Sequence, residues 1–243
     1  MAATPKNAPA LGEGRGEATR LALIRAALDL FGAKGFEAAS TRAVAAAAGA
    51  NLASIAYHFG GKGGLRLACA DHVVETVRGM LAEPLAAAGA APLSPPAARA
   101  LLERVVAAFV AFLIVRPEAQ AIARFVVREM FEPTEAFERI YADAFAPIHE
   151  RFCSVWAAAT GAPADAPATK LATLAMLGQI LYFRVGRRVA LRRLGWADIG
   201  PSEGEAIRAT LIAHLDAALA AAREGTPCGR AAQAAVGRRR RPC

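Results

Sequence analysis

The stretch Ser40–Lys62, STRAVAAAAGANLASIAYHFGGK, decides the fold of this 243-residue chain. Two short helix-forming segments lie on either side of Gly49, and glycine commonly ends a helix because it adopts the left-handed conformation without steric cost. Either Ser40 or Thr41 can cap the first segment, and Asn51 can cap the second, because such side chains accept hydrogen bonds from unpaired backbone N–H groups. The pattern predicts two helices joined by a tight turn.

The second of these helices, predicted over Leu52–His58, has an apolar side and a polar side. Ile55 and Phe59 are four residues apart and therefore lie together on the buried side. The opposite side carries groups that can bind phosphate oxygens and base edges, namely Ser54, Tyr57 and His58. We therefore predict a helix-turn-helix whose second helix is presented to the major groove of DNA.

The composition predicts an all-α fold. Alternating β-branched runs bounded by turn residues, which indicate strands, are nearly absent, and helix-favouring alanine contributes much of the 55% hydrophobic fraction. The longest apolar run, Val105–Val115, is about half as long as a bilayer-spanning helix and is predicted to be a buried helix. Nothing at the N-terminus has the layout of a signal peptide.

The net charge of +8 is concentrated at the two ends of the chain. Residues 1–62 contain seven Lys/Arg and four Asp/Glu. Residues 223–243 contain six Lys/Arg and one Asp/Glu, and the segment between these two ends has no net charge. A basic end on a neutral body suits a DNA-binding protein, although a basic surface can also serve solubility alone. The basic residues 224–243 are expected to be a disordered tail.

Four cysteines, Cys69, Cys153, Cys228 and Cys243, are far apart and form no CxxC pair. No histidine lies at a metal-ligand spacing, so we predict neither a metal nor another cofactor. The pattern fits a reducing cytoplasm, with Cys69 and Cys153 as small core residues, and a redox role for either of them is the alternative.

Together with the preceding Thr19–Phe36, TRLALIRAALDLFGAKGF, the opening stretch resembles the DNA-binding domain of TetR-type transcriptional regulators. The resemblance comprises a Gly-aromatic turn after helix 1, a Thr-rich start of helix 2, an Ala-Gly turn and a closing Tyr/His-Phe-x-x-Lys. The matching residues are Ala27, Phe31, Gly35, Phe36, Thr41, Val44, Ala45, Ala48, Gly49, Ile55, Tyr57, His58, Phe59 and Lys62. It implies a DNA-binding domain over residues 17–63, preceded by a flexible arm at residues 1–16.

The resemblance also implies which residues contact DNA. Arg42, at the start of helix 2, and Lys62, at the start of helix 4, take positions at which family members touch a base or a phosphate. The full set is Thr41, Arg42, Asn51, Leu52, Ala53, Ser54, Tyr57, His58 and Lys62. In one departure, Gly63 and Gly64 replace the acidic residue that favours the helix N-terminus, so we expect a frayed start of helix 4.

Residues 64–223 are predicted to form a helical effector-binding and dimerisation domain, giving about nine helices in all. Helix 4 is expected to end before Pro84, and Pro147 is expected to kink or break helix 7. Two long apolar helices, about Ala168–Leu194 and Ser202–Arg223, close the domain. The resemblance implies that these two helices, helices 8 and 9, form the interface of a homodimer, since two DNA-binding domains are needed to bind the two halves of a palindromic operator.

Two patterns in this domain look like a TetR subgroup of the CerR/CecR kind, whose C-terminal domain senses small molecules. They are RE-x-x-x-PT-x-AF at Arg128–Phe137 and FR-x-x-R followed by GW within Phe183–Trp196. For the effector we predict a pocket with aromatic walls and polar anchors. Its candidate residues are Phe109, Phe125, Arg128, Glu129, Phe131, His149, Gln179, Tyr182 and Phe183. The alternative is that Arg128, Glu129 and Arg184 form a structural ion network among ordinary core aromatics.

The sequence therefore predicts a cytoplasmic, homodimeric repressor that leaves a palindromic operator when a small-molecule effector binds. No nucleophile–base pair, phosphate loop or metal constellation indicates an enzyme. Three alternatives stay open: a non-specific DNA-binding structural protein, an enzyme with an accessory DNA-binding head, and a TetR-like regulator without a small-molecule ligand.

Overall fold

The computed structural model describes residues 11–86 and 92–225, and every regular element within these ranges is helical. The α-helices, numbered along the chain, are α1 Leu11–Lys34, α2 Thr41–Ala47, α3 Ala53–Phe59, α4 Lys62–Ala86, α5 Pro95–Phe109, α6 Ala119–Phe131, α7 Glu135–Ile140, α8 Ala146–Thr160, α9 Pro167–Val185, α10 Arg187–Leu194 and α11 Pro201–Arg223. Two π-helical segments, Val110–Val115 and Tyr141–Phe145, continue α5 and join α7 to α8. The predicted all-α fold is confirmed.

The two terminal segments expected to lack regular structure fall largely outside the described residues. Of the arm expected at residues 1–16, the part from residue 11 belongs to α1. Of the basic tail expected at residues 224–243, only Glu224 and Gly225 are described, and they follow the end of α11.

Packing divides the described chain into two compact units. The first unit consists of residues 11–73 and 124–139, and the second consists of residues 74–86, 92–123 and 140–225. The divisions fall inside α4, α6 and α7. The sequence places the domain boundary near residue 63, whereas packing assigns the beginning of α4 and the later segment 124–139 to the first unit.

Apolar side chains of α1, α2 and α3 form the core of the first unit. Leu23, Ala27 and Phe31 are four residues apart along α1, and all three are buried. Val44 of α2 and Ile55 of α3 are buried as well, and α1 packs on both of these short helices. Because each buried large side chain contributes about 1.5–3 kcal/mol, the burial of Leu23, Phe31, Val44 and Ile55 stabilises α2 and α3, which are too short to persist alone.

The second unit is a bundle of α5, α8, α9 and α11 around an apolar core. Its fully buried members include Leu101, Val106, Ile114, Trp156, Ile180, Leu211 and Leu215. At its edge, Arg99 Nε and Nη2 donate to the two carboxylate oxygens of Asp216 at 2.7 and 2.8 Å, and this interaction lowers the pKa of Asp216. The apolar run Val105–Val115 lies in this core, and no helix in the described ranges is long and apolar enough to cross a bilayer.

Two helix boundaries differ from the sequence-based expectation. The first is the end of α4, which continues past Pro84 to Ala86; a proline in the last turn removes only one helical hydrogen bond. The second difference concerns residues 168–194, where a single helix was expected. The structure has two helices there, α9 and α10, separated at Gly186. A Cβ atom at Gly186 would lie 2.9 Å from the carbonyl oxygen of Tyr182, so the break requires a residue without a side chain.

Pro147 interrupts its helix as expected. The π-helical segment Tyr141–Phe145 precedes it, and α8 begins at Ala146. Because Pro147 has no N–H group, the carbonyl oxygen of Asp143 lacks its α-helical donor. Arg78 Nη2 of α4 donates to that oxygen at 2.8 Å instead, so a side chain replaces the missing backbone bond.

Candidate nucleic-acid interface

The turn between α2 and α3 is fixed by caps and by one glycine. Ser40, rather than Thr41, caps α2, because its Oγ accepts the Ala43 N–H at 3.1 Å. Gly49 has φ +62° in the turn, and Asn51 Oδ1 then accepts the Ala53 N–H at 3.0 Å. These local interactions set the direction in which α3 leaves the turn.

Helix α3 presents one side to solvent. Ile55 is 2% exposed and holds the helix to the core, whereas Tyr57 is 85% exposed and Leu52 is 45% exposed. The Tyr57 and His58 rings meet edge to face with centroids 5.0 Å apart. Such an arrangement of flat polar rings on an anchored helix is suited to a groove lined with phosphates and base edges.

The other residues predicted to contact DNA surround this surface. The structure leaves Arg42 of α2 exposed, together with Asn51 and Ala53 at the start of α3. The remaining ones, which are half-buried, are Thr41, Ser54, His58 and Lys62. All nine belong to the first unit, and they occupy α2, α3, the turn between them and the first residue of α4.

Lys62 is held in place by the turn that follows α1. Its Nζ lies 4.4 Å from the centroid of the Phe36 ring and donates to the carbonyl oxygen of Glu37 at 3.3 Å. The expected fraying of α4 is absent, since the helix begins at Lys62 and the Leu65 N–H donates to the Gly61 carbonyl at 3.0 Å. The cation–π contact and this backbone bond order the first turn without an acidic residue.

Gly64 is required by the close approach of α3 to α4. A Cβ atom at Gly64 would clash with the carbonyl oxygen of Phe59, the last residue of α3, whereas a Cβ atom at Gly63 would meet nothing within 4 Å. Gly60 and Gly61, with φ +71° and +138°, make the connection between the two helices. Of the two glycines that depart from the family pattern, Gly64 therefore has a steric cause and Gly63 does not.

Sequence reasoning missed one cation beside this surface, Arg66. Its guanidinium carbon lies 4.4 Å from the Phe36 ring centroid, the same distance as Lys62 Nζ. Arg66 is four residues after Lys62 on a predicted helix, so the spacing could have placed both cations on one face. From the sequence, Phe36 was predicted only as part of the turn after helix 1, with no contact to either cation.

The nine side chains predicted to line an effector pocket are divided between the two units. Four lie in the first unit, where Phe125 is buried and Glu129 is buried and bound to Arg66. The Arg128 guanidinium lies against Gly35, where an added Cβ atom would be 2.9 Å from Nη1. Phe131, at the end of α6, is 83% exposed.

The other five lie in the second unit: Phe109, His149, Gln179, Tyr182 and Phe183. Phe109 and Phe183 pack against its core, and Tyr182 is exposed. The Nε2 atom of His149 is 2.9 Å from Thr173 Oγ1. Gln179 Oε1 is 2.8 Å from His214 Nδ1 and so joins α9 to α11.

The described cysteines are buried and free of disulfides. Burial raises the pKa of the Cys69 thiol, and the negative charge of Glu129 raises it further, so this thiol stays protonated and unreactive at neutral pH. Among residues 11–86 and 92–225, no group of three or more His, Cys, Asp or Glu side chains is arranged to hold a metal ion. Cys228 and Cys243 lie outside these ranges.

Comparison with known proteins identifies both parts of the chain. A family model described as "Bacterial regulatory proteins, tetR family" matches residues 23–69. A second, described as "HTH-type transcriptional dual regulator CecR, C-terminal domain", matches residues 98–222. The HTH-type transcriptional dual regulator CecR of Shigella flexneri is 34% identical over 206 residues, which are 83% of this chain and 92% of CecR.

Solved structures show the same fold at low sequence identity. AibR, in complex with isovaleryl coenzyme A and operator DNA, has a TM-score of 0.60 at 16% identity, covering 80% of this chain and 96% of AibR. SCO4454, a TetR-family transcriptional regulator from Streptomyces coelicolor, also has a TM-score of 0.60 at 19% identity. The match covers 85% of this chain and 97% of SCO4454.

Substituting Gly64→Ala is expected to destabilise the first unit by about 1–3 kcal/mol, the usual cost of overpacking, because the new methyl group clashes with the Phe59 carbonyl. The matched control, Gly63→Ala, should stabilise it by about 0.4–1 kcal/mol, since its surroundings are open. Thermal unfolding of both variants, with amide hydrogen exchange in α3, measures the difference. Equal effects of the two substitutions would contradict the steric role of Gly64.

Proposed function

Because the chain belongs to the TetR family of bacterial transcriptional regulators and has a C-terminal domain of the CecR type, we propose that it is a sequence-specific repressor released by a small molecule. The observation that carries the proposal is the anchored helix α3, with Ile55 buried beneath it and Tyr57 almost fully exposed above it. The relatives are regulators, and we propose no catalytic activity and a cytoplasmic location, where the operator DNA is.

In the proposed complex, α3 lies in the major groove. Arg42, Ser54 and Tyr57 contact base edges, and Asn51, Leu52 and Ala53 lie at the helix end that approaches the bases first. Thr41, His58 and Lys62 hold phosphates. The fixed ammonium of Lys62 supports its assignment, because a preplaced cation loses little conformational freedom when it binds a phosphate.

We propose that the protein is a homodimer through α9 and α11. A stripe of exposed apolar residues follows α9 at helical spacing: Leu171, Leu174, Gly178, Tyr182 and Val185. The exposed side of α11 carries small residues at the same spacing: Ala206, Ala209, Ala213, Ala217 and Ala220. Exposed large side chains on one helix beside small ones on another are typical of a self-complementary interface. Two heads would then read half-sites about 34–36 Å apart.

For the effector we propose a site in the second unit, where Phe109, His149, Gln179, Tyr182 and Phe183 lie. The four candidates in the first unit are less suited, because Glu129 and Phe125 are already occupied by protein contacts. AibR, which has a similar fold, was solved in complex with isovaleryl coenzyme A and operator DNA, which supports a small-molecule effector. A regulator without a ligand remains the competing hypothesis, as does a non-specific DNA-binding protein.

DNA binding is tested with a duplex selected from a random pool and with an unselected duplex. Lys62→Ala is expected to weaken binding to both and to lower the slope of log K against log salt by about one, as expected for a lost phosphate contact. Tyr57→Ala should weaken binding to the selected duplex by about 1–3 kcal/mol and relax its sequence preference. If wild-type protein binds both duplexes equally at every salt concentration, the protein is a non-specific DNA binder.

Dimerisation is tested by Leu174→Lys, which places a charge in the proposed apolar interface. We expect monomers in sedimentation velocity and a large loss of operator affinity, because burying an unpaired ammonium is unfavourable. The matched control is Met130→Lys on α6, where the side chain is 47% exposed compared with 54% for Leu174. A variant at Leu174 that sediments like the wild type would exclude this interface.

Effector binding is tested by thermal unfolding with a panel of small molecules. A true effector at about 100 times its Kd should stabilise the protein by about 2.7 kcal/mol and release the selected duplex. His149→Ala should reduce the stabilisation, and Glu132→Ala, at an exposed position, should not. A panel in which no compound both stabilises the protein and releases DNA would favour a regulator without a ligand.

A further inference from the structure

The segment 124–139 is part of the CecR-type domain by sequence, yet it packs within the first unit. Three ion pairs attach it to α1 and α4. Arg124 pairs with Asp29 at 3.4 Å, Glu129 with Arg66 at 2.7 Å, and Arg139 with Asp71 at 3.1 Å. The first pair is exposed and the third is only partly buried, and ion pairs in contact with solvent contribute little. The Glu129–Arg66 pair is the buried one.

Glu129 is 2% exposed, and both of its oxygens have donors. Oε1 accepts from Arg66 Nε at 2.8 Å, and Oε2 accepts the Thr134 hydroxyl at 2.6 Å. Thr134 Oγ1 in turn accepts the Ala136 N–H at 3.3 Å. A buried carboxylate satisfied in this way holds its partner guanidinium in one place, because an unpaired alternative would be strongly unfavourable.

The guanidinium held by Glu129 lies over the Phe36 ring, and Lys62 shares that ring. Both cationic groups are 4.4 Å from the ring centroid. The Gly35 end of the same turn is covered by the Arg128 guanidinium. The Phe36 ring, which also packs on Phe31 with centroids 5.4 Å apart, thus joins Lys62 Nζ to an arginine that is held by a buried carboxylate 63 residues later in the chain.

We infer that Glu129 is a positioning residue for the DNA contact of Lys62, acting through Arg66 and Phe36. Loss of the carboxylate charge frees the Arg66 guanidinium to turn toward water, which removes one cation from the Phe36 ring and loosens the turn that carries it. Lys62 then binds phosphate from a broader set of positions, at a higher entropic cost. The inference rests on the proposed function, because it assigns a role within that DNA contact.

The Arg128–Phe137 pattern contains the residues around the Glu129 carboxylate. Glu129 accepts hydrogen bonds from both Thr134 and Arg66, while Ala136 is 1% exposed. Glu129 is therefore one of the residues that attach the segment to the first unit. In this chain the pattern therefore serves the DNA-binding head, and the effector does not need to contact it.

The test is a double-mutant cycle between Glu129→Gln and Lys62→Ala, with binding to the selected duplex measured over a range of salt concentrations. We expect Glu129→Gln to weaken binding severalfold but to change the salt slope less than the decrease of about one caused by Lys62→Ala, because Lys62 still reaches the phosphate. In the double variant the two effects on affinity should not add, because Glu129 acts only through Lys62. The matched control is Arg139→Gln, which breaks the neighbouring ion pair with Asp71 but touches neither Phe36 nor Arg66, and its effect should add to that of Lys62→Ala.

A second variant covers the case in which Glu129→Gln fails to fold, as judged by circular dichroism. Phe36→Leu keeps an apolar side chain but removes the ring face, and it should show the same coupling to Lys62→Ala. If Lys62→Ala leaves the salt slope unchanged, the proposed phosphate contact fails. If Lys62→Ala lowers the slope while Glu129→Gln and Phe36→Leu act additively with it, the DNA contact stands and the positioning role of Glu129 is excluded.

Discussion

The burial of Ile55 is the interaction on which the rest of the first unit depends. Helix α3 has only seven residues, and a helix of that length is unstable in water. It persists because Ile55 is packed against α1 and α2, Asn51 caps one end, and Gly60 ends the other in the left-handed conformation. One anchored side chain per turn leaves the opposite side free, so a short helix can present Tyr57 and Ser54 without losing its position.

The start of α4 shows how close packing and charge act together at the site. Gly64 lets the helix approach the Phe59 carbonyl, and the Phe36 ring then receives Lys62 and Arg66 from successive turns. Two like charges near one ring would repel each other, but Glu129 neutralises Arg66. A buried ion pair of this kind adds little net stability compared with an apolar pair. The Glu129–Arg66 pair instead fixes the place of the Arg66 guanidinium beside the Phe36 ring.

The second unit has a different balance between burial and exposure. Its interior is largely apolar, with Thr169, Thr173 and Arg184 as buried polar side chains. At the surface, α9 carries large apolar side chains and α11 carries alanines. Two glycines in this unit leave room for a close neighbour. Gly186 lies at the break after α9. Gly204 lies beneath the Val115 side chain, and an added Cβ atom there would be 2.5 Å from Val115 Cγ2. The unit therefore has a packed interior and an exposed apolar stripe along α9.

The sequence by itself determined the features that depend on neighbours a few residues away. The helical class, a cap of α2 at Ser40 or Thr41, the cap at Asn51, the turn at Gly49 and the buried face of α1 all follow from spacing and local hydrogen bonding. The structure agrees with them and selects Ser40. Tertiary structure alone decided that Glu129 belongs to the first unit, with Arg66 as its partner. No local pattern encodes a pair 63 residues apart, because a buried carboxylate on an amphipathic helix can be satisfied by any cation that the fold brings to it.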